Sequence, residues 1–181
     1  MSAPERAFVA WGLAMRARAT SDAQHMELAS RAVRESFMAA TVPMLVGQMP
    51  WLLWAELQLA PPGAPVPASE AMRQMRTLVW THQVRPEDVG DDGADMVGGI
   101  LFTGSANPLP TAQTLRAIAS AASMLGDSRL TEPAEIPREL SKLLAGLRFL
   151  DALTADEATC HMYVAPSRAI GGVRASLWDQ R

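Results

Sequence analysis

Three carboxylates near the middle of the chain, Asp91, Asp92 and Asp95, stand at a spacing that can serve a divalent cation. On an intact helix, side chains three or four positions apart share a face. Two carboxylates placed so can hold Mg²⁺ ions that in turn hold a diphosphate. A second set, Asp127, Thr131 and Glu135, recurs at every fourth position. Both spacings have meaning only on helices, and the local sequence opposes them. Gly90 and Gly93 disfavour a helix through the first set, and Pro133 interrupts the second. The loop also lacks the closing glutamate of a calcium-binding EF-hand. A solvated acidic turn is the plain reading of Asp91–Asp95. Mg²⁺ enters only if those acids form a site, and no other cofactor is expected.

The remaining reactive side chains are scattered. His25, His82 and His161 are far apart, and His82 falls on a helical stripe, where a core or boundary histidine with a hydrogen-bond partner is the ordinary case. Cys160 and His161 are adjacent, so on a helix they point about 100° apart and form no thiolate–imidazole pair. One cysteine excludes an internal disulfide framework and a multi-thiolate metal site. It fits a reducing compartment, and a cytoplasmic location is the expectation. No Gly-x-Ser-x-Gly elbow, phosphate-binding loop or dinucleotide fingerprint occurs, and no residue is assigned a catalytic role. Trp11, Trp51, Trp54 and Trp80 read first as core anchors. Trp51, Trp54 and Trp80 are also the candidates for an apolar pocket or a surface that meets a protein partner.

These groups must be positioned by a chain of 181 residues that is 49% apolar and 19% charged, with a net charge of −3. That composition describes one globular domain over 1–181, with a buried core and no basic surface for nucleic acid. The most apolar stretch, Val42 to Ala60, is interrupted by Gln48, Pro50, Glu56 and Gln58 and is not expected to span a bilayer.

Periodicity predicts helices and almost no strand. Residues 4–19 form the first, with Phe8, Trp11, Gly12 and Met15 on one stripe. Ser21 and Gln24 suggest a capping box for the second, which would bury Met26, Ala29, Val33, Phe37 and Ala40. Such a short turn makes the pair antiparallel. A buried helix follows from Pro50 to Leu59, then a stiff connector over 60–68 with four prolines. Ser69 caps a helix to about Gln83, with Met72, Met75, Val79 and His82 on one stripe, and Pro86 adds a turn. Pro110-Thr111 opens a small-residue helix that stops at Gly126, and Pro137 opens a helix with a seam of Leu140, Leu143, Leu144, Leu147, Leu150 and Leu153. The fold class is all-α, built of antiparallel helical hairpins.

A helix, a polar loop, Gly-Gly and a β-branched residue occur in that order twice, ending at Gly98-Gly99-Ile100 and at Gly171-Gly172-Val173. The first is followed by Asn107-Pro108-Leu109-Pro110-Thr111-Ala112-Gln113-Thr114 and a small-residue helix. This order resembles a repeat of the α/α-toroid family, the prenyltransferase and squalene-cyclase type proteins. The resemblance implies a toroid segment, possessed whole or as a fragment of a larger ring. It carries no catalytic residue over, because the cyclase acid motif and the prenyltransferase zinc ligands have no counterparts here. Its functional implication is a non-catalytic scaffold or binding domain that meets a protein partner or an apolar ligand. The alternative is an enzyme of terpenoid or prenyl-diphosphate type using Asp91, Asp92 and Asp95, whose spelling resembles the magnesium motif of those synthases.

Overall fold

The computed structural model describes residues 1–102 and 109–177, apart from the side chain of Asp92. Among them lie eight α-helices: α1 Ala3–Thr20, α2 Ala23–Ala39, α3 Val42–Val46, α4 Trp51–Leu59, α5 Ser69–Thr81, α6 Thr114–Leu125, α7 Ile136–Ala152 and α8 Pro166–Ala169. Short 3₁₀ segments occupy Pro86–Asp88, Asp91–Met96, Pro133–Glu135 and Cys160–Met162. No strand forms among the described residues, only three isolated antiparallel bridges. The chain is therefore all-α, as its periodicity indicates. No helix among the described residues is long and apolar enough to cross a membrane. Asn107, Pro108 and the terminal Trp178-Asp179-Gln180-Arg181 lie outside the described residues.

The chain divides into two compact units, Met1–Val79 with Ala119–Ile136, and Trp80–Ile118 with Pro137–Arg181. In the first, α1 packs against α2 and α4, and α2 against α4. Ser2 and Glu5 cap α1 reciprocally, so the helix starts one residue before the sequence suggests. The next cap also differs from expectation. Ser21 is consumed in ending α1, in the left-handed conformation at φ 56°, so Asp22 caps α2 and accepts from the amides of Gln24 and His25. The buried side of α1 is Ala7, Ala10, Ala14 and Ala17, not the stripe of large residues. Alanines at that spacing let neighbouring helices approach closely, which rings would prevent. Phe8 is half exposed instead. Met49–Pro50 is a cis peptide, and α4 starts immediately after it. Leu53, Ala60, Val66, Met72, Met124 and Leu130 form the buried cluster of this unit, with Phe37, Trp54 and Leu57 packed on it.

In the second unit the repeat is written in backbone hydrogen bonds. Gly98 N–H donates to Val84 O, Val84 N–H to Gly99 O, and Leu101 N–H to His82 O. Gly171 N–H donates to Ala155 O, Ala155 N–H to Gly172 O, and Arg174 N–H to Leu153 O. Each helix, α5 and α7, thus runs into a three-residue segment that pairs with the Gly-Gly segment following it. Gly98 and Gly171 both have positive φ, at 91° and 79°, which is why glycine stands at each turn. Ile100 N–H also donates to Thr114 Oγ1 at 3.0 Å, tying the first Gly-Gly segment to the start of α6. That helix begins at Thr114 and not at Thr111, because Thr111 is held in a bridge with Ser176.

α7 turns only part of its leucine seam inward. Its inward stripe is Glu139, Leu143, Gly146 and Phe149, followed by Leu153. The leucines one position on, Leu140, Leu144 and Leu147, are 43–45% exposed. The helix is turned by one residue relative to a leucine seam because two contacts fix it. Trp80 Nε1 donates to Glu139 Oε2 at 2.6 Å, and Gly146 admits the Ile118 side chain where a Cβ would stand 2.2 Å from Ile118 Cδ1. His82, at the end of the α5 stripe, is likewise exposed, while Arg76 and Trp80 are buried.

Two stability predictions follow from this geometry. Leu143→Ala should cost about 2–5 kcal/mol in denaturant unfolding, and Leu144→Ala or Leu147→Ala less than about 1 kcal/mol. Equal costs at all three would mean that α7 faces inward by its leucine seam. Both glycine turns should be sensitive to alanine, but unequally. Gly171→Ala meets open space and should cost roughly 1–2 kcal/mol for its conformation alone. Gly98→Ala adds a Cβ 2.0 Å from the Ala145 carbonyl oxygen and should cost about 3 kcal/mol or more, read as a lower melting temperature than that of the Gly171 variant.

Candidate functional site

The connector over 60–68 forms one wall of a groove in the first unit. Its residues are pinned from both sides. Ala60 and Val66 are buried in the core cluster. Arg129, on the turn after α6, donates from Nη1 to the carbonyls of Pro61 at 3.1 Å and Ala64 at 3.0 Å. Asp127 holds that guanidinium, with Arg129 Nη2 2.6 Å from Asp127 Oδ2 and Nε 2.9 Å from Oδ1. Side-chain hydrogen bonds from Arg129 are the main reason that the Asp127 carboxyl lies below its ordinary range. Arg73 of α5 in turn donates to the backbone carbonyls of Arg129 and Leu130.

The groove that results lies between α2, α4, the connector and α5 and measures about 610 Å³. Its apolar wall includes Phe37, Leu59, Pro65, Pro67 and Ala71. One ionisable group is buried in it. Glu56, in the middle of α4, is 6% exposed, and its Oε1 accepts from the Ala68 N–H at 2.9 Å. Burial pushes its carboxyl up, and the Ala68 amide only partly offsets that. The other charged residues lining the groove, Arg34 and Glu70, are exposed.

The expected site residues fall elsewhere. Trp51 and Trp54 do come together, in a cluster with Phe8 and Trp11 whose ring centroids are 5.0–5.9 Å apart. Trp54 Nε1 donates to Ser123 Oγ at 2.8 Å, so it serves as a half-buried anchor. Trp80 belongs to the second unit, where it is buried, donates to Glu139 and lies under Lys142 Nζ at 5.7 Å from the ring centre. Asp91 and Asp95 are exposed on a 3₁₀ turn, and the side chain of Asp92 lies outside the described residues. In a 3₁₀ segment, positions four apart, such as 91 and 95, stand about 120° apart around the axis, while positions three apart, such as 92 and 95, fall on one face. Asp127, Thr131 and Glu135 are occupied by arginines: Thr131 accepts from Arg76 Nη1 at 2.6 Å, and Glu135 from Arg76 Nη2 at 3.3 Å. Among the described residues no cluster of three or more His, Cys, Asp or Glu side chains is arranged to hold a metal ion. Cys160 is half-buried, with its thiol 3.3 Å from the Glu157 carbonyl.

In the second unit the outward leucines contribute to an open groove of about 670 Å³ with Leu115, Leu144, Leu147 and Val173 on its walls and Arg148 and Asp151 beside them. Glu56 escaped notice in the sequence except as an interruption of an apolar run. The available signal was its place among Leu52, Leu53 and Ala55, all buried, on a short helix. Comparison with known protein families, with curated proteins and with solved structures finds no match.

The raised Glu56 carboxyl has a consequence for stability. Between about pH 4, where an unfolded glutamate titrates, and its raised folded value, the folded chain holds a proton that the unfolded chain has released. Stability from this group therefore falls as pH rises through that window, and the cost is complete above it. Glu56→Gln keeps an acceptor for Ala68 and removes the charge. It should raise the melting temperature at neutral pH. The difference from wild type should vanish below about pH 4. A variant less stable than wild type at neutral pH would show that the carboxylate is stabilised there.

Proposed function

We propose that the chain is a non-catalytic helical binding domain that holds an apolar ligand in the groove between α2, α4, the connector and α5. The observation that carries this reading is the groove itself. Its volume of about 610 Å³ lies within the range of ~300–1,000 Å³ usual for small-molecule sites. Its walls are mostly apolar, with one nearly buried carboxyl among them, which is the composition of a site that fixes a ligand by shape and one polar contact. The doubled Gly-Gly ladder supports placing the chain among helical-hairpin repeat proteins, the architecture that the α/α-toroid resemblance implies. The enzyme alternative rests on the acidic 3₁₀ segment, which gives Asp91 and Asp95 no common face and leaves Asp92 and Asp95 as its one pair of positions in register.

Titration with a neutral apolar dye such as Nile red tests the reading. Saturable binding at one site is expected, and Ala71→Phe, which fills the groove from α5, should weaken it about tenfold or more while leaving the fold's circular dichroism intact. Mg²⁺ with diphosphate should leave the melting temperature unchanged. Dye binding that Ala71→Phe does not alter would place the site elsewhere. A Mg²⁺- and diphosphate-dependent rise in melting, lost in Asp92→Ala, would transfer the chain to the enzyme class.

A further inference from the structure

Resting on the groove reading, we propose that the ligand is an organic cation, an apolar body bearing an ammonium group that seats on Glu56. A carboxylate removed from water is normally met by a cation or by several hydrogen bonds. Other buried charged groups of this chain are so met: Arg76 bonds Thr131 and Glu135, and Glu139 takes the Trp80 indole N–H with Lys142 Nζ 3.7 Å away. Glu56 differs. Among the described residues its hydrogen-bond partner is the Ala68 amide, on Oε1, no cation is paired with it, and the second oxygen, which is not a buried unsatisfied atom, is left to the water of the groove.

The other charged groups of the groove do not replace that cation. Arg34 is exposed. Glu70, with a side chain 73% exposed, is already bonded by Gln74 Nε2 at 3.0 Å and paired with Arg73 at 3.8 Å. The apolar wall accommodates a hydrocarbon body, and the free face of the Glu56 carboxylate accommodates a donor. An ammonium brings three N–H donors and the counter-charge together, an alcohol brings one donor and no charge, and a carboxylate brings neither.

Three probes with one hydrocarbon body separate these cases: 1-octylamine, 1-octanol and octanoate, titrated calorimetrically into the full chain at neutral pH. Octylamine should bind about tenfold or more tightly than octanol, the gain of a charge-assisted over a neutral contact, and octanoate should bind weakest. In Glu56→Gln the amine preference should disappear while octanol affinity is kept. In Arg34→Gln, a change on an exposed side chain that reads the same point without touching the core, the amine should bind at least as tightly as in wild type. Equal wild-type affinities for amine and alcohol would overturn this inference and leave the groove as an apolar site. Tightest binding of octanoate would overturn it in favour of Arg34. A preference for amine that survives in Glu56→Gln would also overturn it. Failure of all three probes to bind would remove the groove reading itself, and this inference with it.

Discussion

A charge taken out of water must be met by something else, and that constraint organises both compact units. In the first, the buried Arg76 guanidinium reaches the hydroxyl of Thr131 and the carboxylate of Glu135, so the turn after α6 cannot move away from α5 without stranding a cation. In the second, the buried Glu139 carboxylate takes the Trp80 indole proton with Lys142 nearby, and this sets which side of α7 faces inward. The leucine content of that helix points to a different face. A buried ion with a fixed partner outweighs a few exposed leucines, because stranding the ion costs about 3–5 kcal/mol whereas a half-exposed leucine forfeits only part of its burial energy.

The same constraint isolates Glu56. Its surroundings are shaped by residues with no direct part in the groove: Asp127 orients Arg129, Arg129 holds the Pro61 and Ala64 carbonyls, and the connector is thereby fixed as a wall. A rigid wall matters for binding, since a site already in shape loses little conformational entropy when it is filled. Proline supplies part of that rigidity through its fixed φ, and the arginine supplies the rest by hydrogen bonding to a segment that has no secondary structure of its own.

The legible part of the fold is the part governed by local rules. The longer helices, the Pro-rich connector, the break at Pro50 and the Gly-Gly turns follow from propensity and φ requirements that neighbouring residues decide, whereas the five-residue helix at Val42–Val46 and the choice of Asp22 over Ser21 as a cap do not. What the sequence concealed depends on contacts between distant residues. The stripe of α1 reads as aromatic, yet its buried side is alanine, because closeness of helix axes decided the matter. α7 reads as a leucine seam, yet Glu139 and Gly146 face inward. The acids at Asp127 and Glu135 look like free ligands in one dimension and prove to be arginine partners in three. Glu56 reads in one dimension only as a polar break in an apolar helix, and its place on a groove depends on the connector and α5 packing beside α4.

The doubled Gly-Gly ladder bears on how the chain finds its structure. Gly98 returns to Val84 and Gly171 to Ala155, so each ladder closes a segment of about fifteen residues directly behind the helix it follows. Closures of such similar and modest length carry nearly the same entropic cost, and neither waits for a remote part of the chain to arrive. Each helix end can therefore acquire its register early and on its own. The long-range contacts, Trp80 with Glu139 and Arg76 with Thr131, then have only preset pieces to bring together.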